Sequence, residues 1–186
     1  LTQLKTINAA TTGTITLTDY DVDLSGSSSD VAVALAGDFA STYTGDVSLS
    51  DAHTLAQLKA INNATTGELT LADYDVDLSG SSSDVAAALA GSFADTYTGN
   101  VSLNDDHDLS ELKTISNGTS GTITLNNYET TLSNVSSGSI ADVVIALSGN
   151  FESPYAGNIV LSGTHNLSQL KSIHNGTSGS ITLSDY

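Results

Sequence analysis

Three histidines and a set of alternating aspartates are the residues whose type and spacing could do chemistry. His53 and His107 each stand two residues after an aspartate, Asp51 and Asp105, and His165 stands two after Gly163. A neutral imidazole beside a carboxylate is a donor set for zinc or a similar ion. Asp19, Asp21 and Asp23 alternate, as do Asp73, Asp75 and Asp77, and oxygen-rich spacing of this kind can hold calcium. The aromatic residues fall on three recurring positions: Tyr20, Tyr74, Tyr128 and Tyr186; Phe39, Phe93 and Phe151; and Tyr43, Tyr97 and Tyr155. A row of rings could stack on sugars. Pairs such as Thr14/Thr16 and Thr122/Thr124 have the spacing of a flat threonine array, which could order ice. Asn63, Asn117, Asn134 and Asn175 begin Asn-x-Ser/Thr sequons.

What positions these residues is a repeat. Leu4-Lys5-Thr6-Ile7 returns as Leu58-Lys59-Ala60-Ile61, Leu112-Lys113-Thr114-Ile115 and Leu170-Lys171-Ser172-Ile173, at offsets of 54, 54 and 58. Residues 13–37 and 67–91 agree at 21 of 25 positions. The longer offset reflects a four-residue insertion around Asn134 to Ser137. The chain, 1–186, therefore reads as one continuous segment of about three and a half copies of a 54-residue unit, a slice of a longer array with no atypical capping repeat.

Seven segments begin with glycine, at Gly13, Gly45, Gly67, Gly99, Gly121, Gly157 and Gly179, and place apolar residues third and fifth, as in Ile15/Leu17 and Val47/Leu49. That alternation predicts strands buried on one face, spaced 22 or 32 residues apart, with one gap of 36. In the short gaps Leu55, Leu58 and Ile61 form a helical stripe preceded by the cap residues Thr54, Asp108 and Asn166 in their copies. In the long gaps Ser27 to Asp30, Ser81 to Asp84 and Ser139 to Asp142 resemble capping boxes, and Gly37, Gly91 and Gly149 stand where C-terminal cap glycines belong. An extended stretch, Asp21 to Leu24, follows the first strand, and its copies lie too far apart to pair with one another. Strand and helix alternating at this length predict a right-handed α/β solenoid, leucine-rich-repeat-like, with one parallel sheet and helices on the other side, six turns making roughly 29 Å of axis.

The repeat weighs against the site chemistry. Copies of the histidine recur every two turns, about 9.6 Å apart, whereas two ligands of one zinc each lie about 2 Å from it. The third aspartate set reads Asn127, Glu129 and Thr131, and the fourth stops at Asp185. Of the 21 acids, 17 are Asp, which suits turns and caps. The aromatic rows read as internal ladders, the histidines as loop residues beside a helix cap, and the outer strand face as solvated polar surface. No catalytic, cofactor-binding or metal residue is assigned, and no cofactor is implied; calcium is the one ion the Asp-rich turns could take.

Composition removes further classes. Four lysines and no arginine cannot form a patch that neutralises a nucleic-acid backbone. With no cysteine, disulfide frameworks, zinc ribbons and thiol catalysis are out. No apolar run is long enough to span a membrane, so membrane insertion is not expected. The net charge of −17 is spread through the repeats, and Lys5, Lys59, Lys113 and Lys171 are one position seen four times, a single basic row near aspartates of adjacent turns.

Leu-x-x-Leu-Lys-x-Ile, Thr-x-Gly-x-Ile-Thr-Leu-x-Asp-Tyr and Asp-Val-Ala-x-Ala-Leu-Ala-Gly together resemble the tandem repeats of very large acidic bacterial surface proteins of cyanobacterial type. The resemblance covers the whole chain and implies a secreted or surface-displayed protein, with no catalytic residues to carry over. The expectation is a non-enzymatic structural segment: a stalk, spacer or filament body, extracellular or on the cell surface, able to self-associate by end-to-end stacking of unpaired strands. The alternative is an adhesin-like module binding calcium, a glycan or a partner protein.

Overall fold

The computed structural model describes residues 1–134 and 138–184. Most of the insertion, and the last copies of the aspartate and tyrosine positions, Asp185 and Tyr186, lie outside the described residues. The fold is mixed α/β. Among the described residues there are seven helices: α1 (Thr2–Ala10), α2 (Ser28–Leu35), α3 (Leu55–Ala64), α4 (Ser82–Leu89), α5 (Leu109–Gly118), α6 (Ile140–Ala146) and α7 (Leu167–Gly176). The strands are β1 (Leu24–Gly26), β2 (Val47–Leu49), β3 (Leu69–Thr70), β4 (Leu78–Gly80), β5 (Val101–Leu103), β6 (Ile123–Thr124), β7 (Leu132–Ser133), β8 (Ile159–Leu161) and β9 (Ile181–Leu183).

The helices start where capping chemistry places them. Thr54 and Gln57, Asp108 and Glu111, and Asn166 and Gln169 form reciprocal capping boxes at α3, α5 and α7. Ser139 and Asp142 do the same for α6, and Ser27 accepts from the Asp30 amide at α2. The long-gap helices end differently from expectation. Gly37, Gly91 and Gly149 are not left-handed caps; positive φ among the described residues is confined to Gly138 and Gly163. These glycines are small because a neighbouring helix side chain passes over them. A Cβ at Gly149 would stand 2.7 Å from Ser116 Oγ and 2.8 Å from Ile123 Cδ1, and one at Gly91 would overlap the Asn62 amide.

The expected single sheet is instead three short parallel sheets of three strands each, in the orders β1-β2-β3, β4-β5-β6 and β7-β8-β9. The reason lies in the pairing step. Leu24 pairs with Val47 and Val47 with Leu69; Leu78 pairs with Val101 and Val101 with Ile123. Each step is 23 or 22 residues. The 32-residue gaps resolve into a nine-residue advance, as from Leu69 to Leu78, and a 23-residue ladder step. That advance brings in a new strand, β1, β4 or β7, from the stretch expected to be merely extended. These strands pair with the next glycine-led strand and not with their own copies. In the third sheet the first step is 27 residues, from Leu132 to Ile159, because the insertion falls inside it. The segment at Gly13 forms only a bridge, Ile15 to Phe39.

The described chain divides into two compact units. One comprises Leu1–Val76 with Ala87–Tyr97, and the other Asp77–Ala86 with the chain from Thr98 onward. In the first, Val47, Leu58, Ile61 and Leu69 are fully buried between sheet and helices; in the second, Leu112, Ile115, Ile123, Leu132 and Ile159 are. Inward apolar residues alternate with exposed ones on the strands, as in Val101, Ser102 and Leu103.

One contact recurs where α3, α5 and α7 give way to the strands that follow them. Thr65, the buried C-cap of α3, takes extended backbone angles. Its hydroxyl donates to Gly45 O (3.0 Å) and accepts from the Gly67 amide (2.9 Å). Thr119 joins Gly99 and Gly121 in the same way (2.8 and 2.9 Å), and Thr177 joins Gly157 and Gly179 (2.8 and 2.9 Å). A Cβ on Gly67, Gly121 or Gly179 would overlap the carbonyl of the preceding glycine, whereas Gly13 has no neighbour nearer than 3.5 Å. Gly67→Ala and Gly121→Ala should therefore each cost about 1–3 kcal/mol or more by forcing the ladder apart. Gly13→Ala should leave the melting temperature almost unchanged; equal melting temperatures for all three variants would refute the close-approach account.

Candidate functional site

His53, His107 and His165 each lie in the loop immediately before a helix N-cap, as expected, but the first two do not face solvent. His53 and His107 are buried, 3% and 4% exposed. His53 Nε2 lies 2.9 Å from Tyr97 Oη, and His107 Nε2 lies 3.2 Å from Tyr155 Oη. The rings meet at 5.8 and 5.9 Å between centroids. Each tyrosine hydroxyl donates to a backbone carbonyl of the strand approach beside it, Tyr97 to Val76 O (2.6 Å) and Tyr155 to Thr130 O (2.5 Å). Its single proton being used there, the hydroxyl accepts from the histidine. The histidine thus carries a proton on Nε2. Nδ1 of both histidines is buried and meets no hydrogen-bond partner among the described residues.

Burial pushes both imidazoles below the ordinary histidine pKa, outweighing Asp73 and Asp51 around His53, and Asp106, Glu111, Asp108 and Asp105 around His107. Burial pushes the Tyr155 hydroxyl upward. Tyr43 is raised by burial and then by Asp23, Asp19 and Asp21, and it donates to Val22 O in the position that Tyr97 and Tyr155 fill. His165 is half-buried, with Nδ1 3.2 Å from Gly163 O. His174 is exposed.

The phenylalanines complete these clusters. Phe39, Phe93 and Phe151 each pack on the tyrosine four residues later, with centroids 6.3, 6.0 and 6.0 Å apart. The described ring contacts are therefore between unlike rings, not the like-on-like ladder expected from the repeat. Tyr20, Tyr74 and Tyr128 fold back to accept from the amides of Leu17, Leu71 and Leu125 (3.1, 3.1 and 3.2 Å).

The alternating aspartates are taken apart by the backbone. Asp19 and Asp73 accept from the amides two residues on, each at 2.9 Å, and Asn127 does the same in the third copy. Asp23 and Asp77 instead accept from Asp46 and Asn100 in the next strand (3.1 and 2.9 Å). The line continues outward: Asp46 accepts from the Glu68 amide (2.7 Å), Asn100 from Thr122 (2.9 Å) and Asn158 from Ser180 (3.0 Å). Among the described residues no three His, Asp or Glu side chains gather as a metal site. The outer strand residues Ser48, Thr70, Ser102 and Thr182 are exposed, as expected of a solvated face.

Lys5 pairs with Asp30, and Lys113 with Asp142. The Lys113 ammonium, with the Ser139 amide, holds the Asp142 carboxyl below its usual range. A shallow cleft of about 480 Å³, lined by Phe151, Pro154, Tyr155, Asn175 and Thr177, marks the chain's one proline. Among the described residues no helix is long and apolar enough to cross a membrane.

Compared with protein-family models, curated proteins and solved structures, the chain matches none. The geometry alone carries the functional argument.

The buried histidines fix a pH response. Their folded pKa lies below the unfolded value of about 6.5, so below that pH the unfolded chain takes up protons the folded chain refuses. Stability is full above about pH 6.5 and falls as the pH drops toward the folded pKa. Melting temperature should decline from pH 7.5 to 5.5, above the carboxylate range. The double variant His53→Phe/His107→Phe should lose about 1 kcal/mol per bond at pH 7.5 and show a flatter pH profile. An unchanged profile would show that these histidines do not set it.

Proposed function

We propose that this chain is a non-catalytic structural segment: successive turns of a right-handed α/β solenoid in the stalk, spacer or filament body of an extracellular bacterial-type surface protein. The observation that carries the reading is how the reactive side chains are used. Histidine, tyrosine, threonine and most of the strand-flanking aspartates and asparagines are bonded to backbone or side chains of a neighbouring turn, and the same bond recurs copy after copy. An active site serves one substrate at one place and would break the pattern there. The departures from the repeat at Gly163 and Pro154 gather no group of three His, Asp or Glu side chains among the described residues.

The handedness follows the general preference for right-handed parallel crossovers. Acidity supports a surface-displayed rod: roughly −5 per repeat accumulates with copy number, keeping neighbouring rods apart. It also disfavours nucleic acid as a partner. End-to-end association through unpaired strand edges remains the self-contact such a segment offers.

The competing calcium-binding reading is tested by calorimetry. Titration with millimolar calcium at pH 7.5 should give no saturable heat and leave the melting temperature unchanged, because Asp19, Asp23, Asp73 and Asp77 each already accept a backbone amide. A saturable heat with a rise in melting temperature would replace the structural reading with that of a calcium-dependent module.

A further inference from the structure

We propose that the outward face of α7 is a docking surface for one kind of partner, a helical turn of the α2 and α6 class supplied by a further copy of the 54-residue repeat. The proposal rests on the solenoid reading above and adds a recognition code to it. The code is read where α1 meets α2 and where α5 meets α6.

Three contacts recur there. An apolar residue at the start of the first helix lies over the glycine that precedes the second: Leu1 over Gly26, and Leu109 over Gly138. A lysine one turn on pairs with the aspartate in the first turn of the second helix, Lys5 with Asp30 and Lys113 with Asp142. A polar residue further along donates to a carbonyl near the end of the second helix. Asn8 Nδ2 reaches Val33 O (2.7 Å), and Ser116 Oγ reaches Ala146 O (2.8 Å).

In α7 the same three positions hold Leu167, Lys171 and His174. Leu167 is 82% exposed, whereas Leu109 is 8% exposed. Lys171 is exposed and makes no ion pair among the described residues. His174 is exposed, and a ring N–H of an imidazole suits the carbonyl that Asn8 and Ser116 serve in their copies. The face thus presents an apolar anchor, a cation and a donor in the order that fits a Gly-Ser-x-x-Asp-Val helix. The α3 turn does not fit, because its third helical residue is the uncharged Gln57 where the face needs the carboxylate that Asp30 and Asp142 supply. On a chain of net charge −17, a surface with an uncommitted cation is also where an acidic copy is least repelled.

The test uses the full chain and two labelled peptides, residues 21–52 for the α2 class and residues 51–77 for the α3 class. Saturable binding of the first alone is expected, weakened at least tenfold by Lys171→Glu and recovered when the peptide carries Asp30→Lys. Equal binding of both peptides, or binding indifferent to Lys171→Glu and Leu167→Asp, would overturn the proposal. A free peptide must order before it docks, so a second measurement joins residues 21–52 directly after Tyr186. The melting temperature should rise and the α7 amides should exchange more slowly. A peptide that does not bind, together with a joined turn that changes neither, would overturn it as well. Calcium binding in the preceding titration would leave these outcomes untouched, so the two proposals fail separately.

Discussion

The rest of the structure depends on how closely two parallel backbones approach at the glycine–threonine–glycine contact. Thr65, Thr119 and Thr177 end their helices in extended conformation, and each hydroxyl ties its own following glycine to the glycine of the preceding strand path. The hydroxyl satisfies a buried carbonyl that would otherwise cost about 1–3 kcal/mol. Glycine on both sides removes the Cβ that would hold the chains apart. Helix termination, strand entry and ladder register are thereby set by one side chain, which is why the 22-residue step is the same in all three sheets while the other steps vary.

From that register the inward stripe follows. Val47, Val101 and Ile159 lie under the clasp and are almost completely buried; Leu58 is buried with Val47 in the first unit, and Leu112 and Ile115 with Val101 and Ile159 in the second. The outer positions are left for Asp46, Asn100 and Asn158, which stitch successive amides without building a pocket. Chemistry-bearing residues are consumed as structure. The buried histidine is the clearest case: its Nε2–H donates to tyrosine, and the tyrosine hydroxyl donates to a backbone carbonyl.

Much of this was legible in the sequence. In the five segments from Gly45 to Gly157 the third and fifth residues are buried as alternation predicts, as at Ile123 and Leu125, while Leu17, Ile181 and Leu183 in the first and last are half-buried. The caps Thr54, Asp108 and Asn166 lie where a short polar side chain precedes an apolar stripe. Three features were not legible. Strands β1, β4 and β7 are two or three residues long with one buried leucine apiece, too short for a period to show, so three small sheets were read as one. Gly91 and Gly149 look like helix caps by position, and only the neighbouring side chain reveals close approach as their purpose. The histidine–tyrosine pairs join positions 44 and 48 residues apart, across turns whose spacing the pairing step sets. A signal was present, since the separation lengthens by the four residues of the insertion, but it gains meaning only once the ladder is known.

If the repeat is a rod-building element, its length should follow from its copy number. Small-angle scattering from chains carrying two, three and six 54-residue repeats measures this directly. The account predicts a constant cross-section and a longest dimension that grows by about 10 Å per repeat, two strand spacings for two turns. A radius of gyration that instead grows with about the 0.38 power of chain length, as compact globules do, would contradict it.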